Sequence, residues 1–493
     1  DGIRDSSVTG VQTCALPIFM REILAQRRGI QMSQHHGEGI EQFGYKQELH
    51  RALTFRDLLY YGLIFMVPIA PFGIFGSVFN ASGGMVALAY AIGMVGMMLT
   101  ASSYAQMSKA FPMAGSVYTY AGRGINPSVG FLAGWVIFLD YVLVPTLLYI
   151  VAAIAMNSFV SGIPVWAWLL FFIITNTIVN LRGIELTAKF NKIFLIAELI
   201  VLALFIVIGI VAVASGKGNG FSFDAFFNSK TFSWSLVFGA VSVAVLSFLG
   251  FDGISMLAEE SREKADEIGR AMVAALLLAG SLFIVQTWLA AMLVPGTDKL
   301  LSEGDPAGTA FYAAAEVAGG VWLNKLTALA TAIAWGFANA LVAQAATSRL
   351  LFAMARDKQL PKFLAKVHPK SGGPVNATYL TASISVVLGL YFVLTKKDFG
   401  LTLTTTLVNF GALTAFIALH LSVIIHHKMR NKSNDTWRHL IVPVLGILLL
   451  SWVVIKANVA AQRVGIVWAV IGIVILIVQT ARGKKPSLSG MSN

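Results

Sequence analysis

The sequence predicts an all-α polytopic membrane protein of twelve transmembrane helices, two inverted five-span repeats with broken spans 1 and 6, and two added C-terminal helices. Three observations carry that expectation. The 493 residues are 57% hydrophobic and only 12% charged, with a mean hydropathy of +0.74, whereas soluble domains carry about 25% charge. Apolar runs long enough to cross a bilayer recur between helix breakers, and they do not alternate as barrel strands do. Two of those runs are interrupted in matching places, which in transporters with internal repeats points to the binding site.

In chain order, residues 1–19 read as a segment foreign to the protein. The stretch Asp5-Ser6-Ser7-Val8-Thr9-Gly10-Val11-Gln12-Thr13-Cys14-Ala15-Leu16-Pro17-Ile18 looks like translated adapter sequence, too polar to span and without the basic start of a signal peptide. The natural start is then expected at Met20 or Met32, and the single cysteine, Cys14, falls away with it. A cytoplasmic tail, 20–54, leads to the first repeat, 55–215, with spans near 55–80, 84–108, 128–157, 163–181 and 188–215. The second repeat, 216–425, places spans near 235–260, 269–294, 321–352, 375–395 and 401–425. Spans near 438–456 and 462–481 lie in 426–481, followed by a cytoplasmic tail, 482–493.

Lysine and arginine orient the helices. With both termini in the cytoplasm, only Lys217, Lys230, Lys299, Lys325, Lys396, Lys397, Lys456 and Arg463 lie outside, and the other 28 of the 36 lie inside. The net charge of +12 therefore belongs to cytoplasmic loops, and no nucleic-acid partner is expected. Span 1 runs outward and span 6 inward, as inverted repeats require.

The interruption in span 6 is Ser247-Phe248-Leu249-Gly250-Phe251-Asp252-Gly253-Ile254-Ser255, an aspartate between two glycines. A charge at the bilayer centre costs roughly 2.5–3.5 kcal/mol even on mild insertion scales. Its counterpart in span 1 is Val67-Pro68-Ile69-Ala70-Pro71-Phe72-Gly73. The first half of span 1 is expected to end near Pro68 and the second to restart near Gly73. Such breaks expose carbonyls at one helix end and N–H groups at the next, acceptors for an ammonium and donors for a carboxylate. Amines and amino acids are the small ligands that fit, and two packing kinks are the plain alternative. Asp252 binds a substrate amine, caps the half-helix starting at Gly253, or does both. Phe72, Phe248 and Phe251 enclose a ligand or simply pack, being three among 33 phenylalanines.

Two further acids lie inside apolar spans: Asp140 in span 3 and Glu198 in span 5. Each is a proton site or cation ligand, or else a neutral acid hydrogen-bonded between helices. Glu259, Glu260 and Arg262 mark the cytoplasmic end of span 6 and suit salt bridges of a gate or loop. The histidines, including His426 and His427, show no ligand spacing within a span, and no metal site is expected. No phosphate-binding loop, paired histidines or nucleophile elbow occurs, which argues against a nucleotide-driven pump or a membrane enzyme. A channel needs a continuous polar pore, whereas these polar groups gather near one depth. No cofactor is expected.

The motifs resemble permeases of the amino acid–polyamine–organocation superfamily across about residues 50–480. They are Phe111-Pro112-Met113-Ala114-Gly115-Ser116-Val117-Tyr118-Thr119-Tyr120, Asn126-Pro127, Gly130-Phe131-Leu132-Ala133-Gly134-Trp135 and Gly250-Phe251-Asp252-Gly253-Ile254-Ser255 with Glu259-Glu260. Asn339-Ala340, Ser348-Arg349, Met354-Ala355-Arg356-Asp357 and Leu360-Pro361 complete the set. The resemblance implies the LeuT-type inverted-repeat fold with substrate between spans 1, 3, 6 and 8. Ile69, Ala70, Phe72, Gly73, Gly250 and Asp252 then lie at the ligand, with Asn339 facing it from span 8 and Asp140 nearby. Leu139-Asp140-Tyr141 together with the Asp252 motif is most similar to bacterial putrescine importers and their relatives. Many amino-acid members carry a Gly-Ser-Gly-like break where this chain has Pro-Ile-Ala-Pro-Phe-Gly, which leaves room for a substrate without a carboxylate. Some proton-coupled relatives have a lysine where this chain has Glu198, making Glu198 the proton-coupling candidate. The implied activity is proton-driven import of amino acids or polyamines by alternating access, with exchange, or carriage of another small organic solute, as the alternative.

Overall fold

In a computed structural model of the chain, every regular element among the described residues is helical. The structure describes residues 40–488 apart from 45, 161, 306–307, 370, 396–397, 458 and 484. The foreign-looking segment 1–19 with Cys14, the candidate starts Met20 and Met32, most of the tail 20–54 and the last residues of the tail 482–493 lie outside the described residues. Within 1–47 the described element is a single short turn, Ile40–Phe43, and residues 48–493 form a unit of their own.

Among the described residues, ten helices are long and apolar enough to cross a membrane, and a bent pair adds an eleventh. The pair is α1 (Phe55–Met66) and α2 (Pro71–Ala81), meeting at 53°. The fourth expected span is a 17-residue helix, Val165–Leu181, apolar but short of full crossing length. The exposed aliphatic side chains follow a lipid-facing logic. In the last helix, Val459–Ala481, Ile466, Val467, Ile473 and Ile477 are all open to the outside.

Local chemistry explains where the site-bearing helices begin and bend. Helix α1 starts in a capping box: Thr54 Oγ1 accepts from Asp57 N–H, and the Asp57 carboxylate accepts from Thr54 N–H at 2.9 Å. The second span, α3 (Val86–Ala110), is followed by the short α4 (Ser116–Gly124), and the third span, α5 (Pro127–Phe159), opens with Asn126 accepting from Val129 N–H at 2.9 Å. Pro127 occupies its first turn, where a missing N–H costs nothing. Pro145 lies inside α5 and cannot donate to the Tyr141 carbonyl one turn back. Thr347 Oγ1, from a facing helix, donates to that carbonyl instead.

Contacts at small residues show how the spans run. Gly62 faces Ile254 and Gly250 faces Phe65, so spans 1 and 6 are antiparallel. Gly269 meets Ala105 and Gly280 meets Met94, so spans 2 and 7 are antiparallel as well. Ala152 faces Gly336 while the Tyr141 carbonyl meets Thr347, giving the same relation for spans 3 and 8. Leu169 against Gly389, with Gly183 against Ser371, repeats it for spans 4 and 9.

One end of the bundle gathers the basic loops. Glu259 takes Arg356 in two hydrogen bonds of 2.8 Å, and Glu260 takes Arg349 in a fork. Ala52 and Leu53 donate their N–H groups to the Glu260 carbonyl, and Arg262 returns one to Leu53. The expected salt bridges at Glu259 and Glu260 are therefore present, while Arg262 reaches the Arg51 carbonyl.

Candidate functional site

Both expected interruptions are present, the one in span 6 where it was expected and the one in span 1 displaced by a few residues. Helix α1 ends at Met66, not Pro68, and α2 restarts at Pro71, not Gly73. Proline is tolerated in the first turn, where its fixed φ suits the helix, so it starts the second half rather than blocking it. Val67 turns the chain with φ +54°, a left-handed conformation that a β-branched side chain adopts only under strain. The break is held from outside, since Gln286 of span 7 donates its amide to the Pro68 carbonyl at 2.9 Å.

Span 6 runs as α6 (Trp234–Ala244), tightens into a 3₁₀ turn over Val245–Phe248, breaks at Leu249 and Gly250, and resumes as a 3₁₀ helix over Phe251–Glu260. Gly250 has φ +112°, and a Cβ there would lie 2.6 Å from the Phe65 ring, so both backbone and packing demand glycine. The resumed segment begins at Phe251, so Asp252 lies inside its first turn and does not cap a helix starting at Gly253.

Between the two breaks lies a cavity that is open on one side. Its wall comes from four spans. Phe65, Met66, Ala70 and Ile74 come from span 1; Asp140, Tyr141 and Leu147 from α5; Ser247, Gly250 and Asp252 from span 6; Trp335 and Asn339 from span 8. The last two sit in a wide π turn, Ala334–Asn339. Such turns release backbone carbonyls and occur often at functional sites. Here Asn176 donates to the Gly336 carbonyl at 2.9 Å and Asn180 to the Leu341 carbonyl at 3.0 Å, so span 4 satisfies what the wide turn frees.

Of the ten residues expected at the ligand, Ala70, Asp140, Gly250, Asp252 and Asn339 line this cavity. The others sit behind it. Phe72 stacks on Phe311 with ring centres 4.0 Å apart and meets Phe205 edge-on. Phe248 packs among Tyr90 and Phe283, and Phe251 between Tyr104 and Phe416. Ile69 is fully buried, and Gly73 backs directly onto the Trp335 ring.

The carboxyls differ sharply. Asp252 accepts from Tyr141 Oη at 2.5 Å, from Tyr104 Oη at 3.4 Å and from Gly250 N–H at 3.3 Å. Asp140, 5% exposed, has no hydrogen-bond or ion-pair partner among the described residues. Glu198 lies away from the cavity on the helix Ile184–Ala214, 4% exposed, with neither carboxyl oxygen partnered among the described residues. Asn339 Oδ1 and Trp335 Nε1 are likewise buried without partners. Tyr104 and Trp335 were not singled out from sequence, while Tyr141, inside its aspartate motif, and Ser247, at the head of the span 6 interruption, carried a signal. Among the described residues no cluster of histidine, cysteine, aspartate or glutamate is arranged to hold a metal ion.

Apolar helices around a mid-span cavity define a polytopic membrane protein. The amino acid permease family matches residues 58–487. The low-affinity putrescine importer PlaP of Escherichia coli is 31% identical over 446 residues, 89% of this chain and 96% of that protein. The branched-chain amino acid permease BcaP of Bacillus subtilis is 25% identical over 468 residues, 89% of this chain and 95% of the relative. A methylthioribose transporter from Bacillus subtilis is 26% identical over 427 residues, 82% and 87% of the two chains. The chain belongs to the amino acid permease family, within the amino acid–polyamine–organocation superfamily, and is a membrane transporter of small organic solutes rather than an enzyme.

Proposed function

We propose that this transporter is a secondary active importer that brings amino acids or polyamines across the cytoplasmic membrane together with protons, by alternating access. The observation that carries the reading is the cavity enclosed between two interrupted spans and lined by two carboxyls. Loading from one side and release to the other follow if the unit containing spans 1 and 6 rocks against the rest. The antiparallel pairing of spans 1 with 6, 2 with 7, 3 with 8 and 4 with 9 supports an inverted LeuT-type repeat, with two further helices after it. The distribution of 28 basic residues against 8 supports both termini in the cytoplasm. Substrate contacts are assigned to Ala70, Asp140, Gly250, Asp252 and Asn339, with Ile69, Phe72, Gly73, Phe248 and Phe251 shaping the wall from behind. The likeness to a methylthioribose transporter favours one further reading, carriage of another small organic solute.

Glu198 is the proposed proton carrier, because a buried carboxyl without a partner is most economically kept neutral and is free to give up its proton as the surroundings change. Its helix packs against α1, so a movement of span 1 reaches it. Uptake by purified protein in liposomes under an imposed pH gradient tests both proposals. The wild-type protein should concentrate substrate, and Glu198→Gln should lose that concentration while retaining substrate exchange. Concentrative uptake with unchanged pH dependence in Glu198→Gln removes the assignment.

A further inference from the structure

The basic end of the bundle holds a pocket of a different kind, lined by Ile178, Leu181, Arg182, His368 and Ser371. Span 4 ends at Leu181, and Arg182 follows as the first residue past the apolar helix. The loop between spans 8 and 9 folds over that end as a tight hairpin. Its His368 N–H bonds the Gly373 carbonyl at 2.9 Å, and Val375 N–H bonds the Lys366 carbonyl at 3.1 Å. Ser371 Oγ donates to the Leu181 carbonyl at 3.1 Å, one of those a helix end leaves open. Ser371 N–H donates to His368 Nδ1 at 3.1 Å, which fixes the imidazole ring in the wall. Gly183, at φ +111°, lets the two segments approach, since a Cβ there would lie 3.1 Å from the Ser371 Cβ. Gly372 of the same hairpin packs on His50, the neighbour of Arg51.

The two sides of this pocket have opposite chemistry. Along span 4, Phe171, Ile174 and Ile178 lie three and four residues apart on one helix face, and each is about half exposed. In a spanning helix such a stripe meets acyl chains. At the rim Arg182 is exposed, and its guanidinium has no hydrogen-bond or ion-pair partner among the described residues. No carboxylate lines the pocket. Span 9 begins directly after the hairpin and presents Tyr379, 53% exposed, in its second turn. Amphipathic rings of that kind mark the depth of the headgroups.

We infer that this pocket binds the headgroup of an anionic phospholipid, with the phosphate on Arg182 and an acyl chain along Ile178 and Ile174. A guanidinium takes a phosphate through paired N–H donors, and basic pockets between spanning helices suit such headgroups. With no carboxylate to receive a choline or ethanolamine cation, a net negative headgroup is favoured over a zwitterionic one. The hairpin joins span 9 to span 8, which brings Trp335 and Asn339 to the cavity, so a bound lipid ties that connection to span 4. Binding of this kind requires only that the basic end meets a leaflet, whichever solute the cavity carries.

The test is native mass spectrometry of the purified full chain in neutral detergent, titrated with phosphatidylglycerol or with phosphatidylcholine. The wild-type protein should take its first phosphatidylglycerol about tenfold more tightly than phosphatidylcholine, the gain from one contact to a charged group. That comparison does not depend on any variant folding. Arg182→Gln should remove most of the preference without changing the lipid-free thermal midpoint, and Arg182→Lys should keep part of it. Arg482 is the matched control, exposed just past the last spanning helix but outside this pocket, so Arg482→Gln should leave the preference intact. Equal binding of the two lipids by the wild-type protein overturns the site, as does an equal loss in Arg482→Gln and Arg182→Gln. Displacement of phosphatidylglycerol by millimolar inorganic phosphate would mark a site for free anions and overturns the lipid assignment.

Discussion

Buried carboxylates occur in two regions of this molecule, and their surroundings are opposite. At the basic end, Glu259 and Glu260 are buried and each meets an arginine, Arg356 and Arg349. In the middle of the bundle, Asp140 and Glu198 are just as buried and meet no cation among the described residues. The desolvation cost is common to both regions, but only the first contains its own compensation. Acids at the end of the bundle therefore belong to the fold, locking span 6 to span 8, while those in the middle are left for a ligand or a proton. Asp252 stands between the cases, compensated by hydroxyl donors rather than by charge.

The largest effect should come from breaking the compensated region. Arg349→Met leaves Glu260 buried and unpaired and should cost about 3–5 kcal/mol in a detergent unfolding titration. Adding Glu260→Gln to it should restore much of that loss. An Arg349→Met protein as stable as wild type would mean that the pair is not what joins the two spans there. A smaller effect is expected in the middle. Tyr141→Phe removes a donor to Asp252 and should cost about 1.5–3 kcal/mol, read by the same titration, with the loss absent when Asp252→Asn is already present. A full additional loss in the double variant would show that the hydroxyl and the carboxylate do not act as a pair. The smallest effect belongs to the exposed ion pair Lys109–Asp266, 3.5 Å apart with both side chains more than half exposed. Lys109→Met should change stability by about 1 kcal/mol or less, a baseline against which the buried pair is measured.

The breaks and the acids were legible in sequence because each contradicts its surroundings: two glycines about an aspartate, or two prolines, inside an apolar run. The neighbours of those residues were not legible. Whether Phe248 faces a ligand or packs on Phe283 depends on how the 3₁₀ segments rotate about Leu249 and Gly250, and no periodicity survives across such a break. The π turn that aims Trp335 and Asn339 into the cavity leaves no mark in a run of alanines and aromatics; its support lies far away, at Asn176 and Asn180. Tyr104 acts on Asp252 from a helix whose sequence shows only an ordinary aromatic. The span 1 break was visible as Pro-Ile-Ala-Pro, but its effect was misplaced by a few residues because Pro71 begins a helix as readily as it ends one.

The central claim is that the cavity between the two breaks belongs to a carrier that exposes it to each side in turn. Counterflow tests it most directly: vesicles containing the purified chain are loaded with unlabelled putrescine, then given a trace of labelled putrescine outside. The account predicts a transient accumulation of label above its external level, present in loaded vesicles and missing from empty ones. Label that only equilibrates, at the same rate in loaded and empty vesicles, would contradict it.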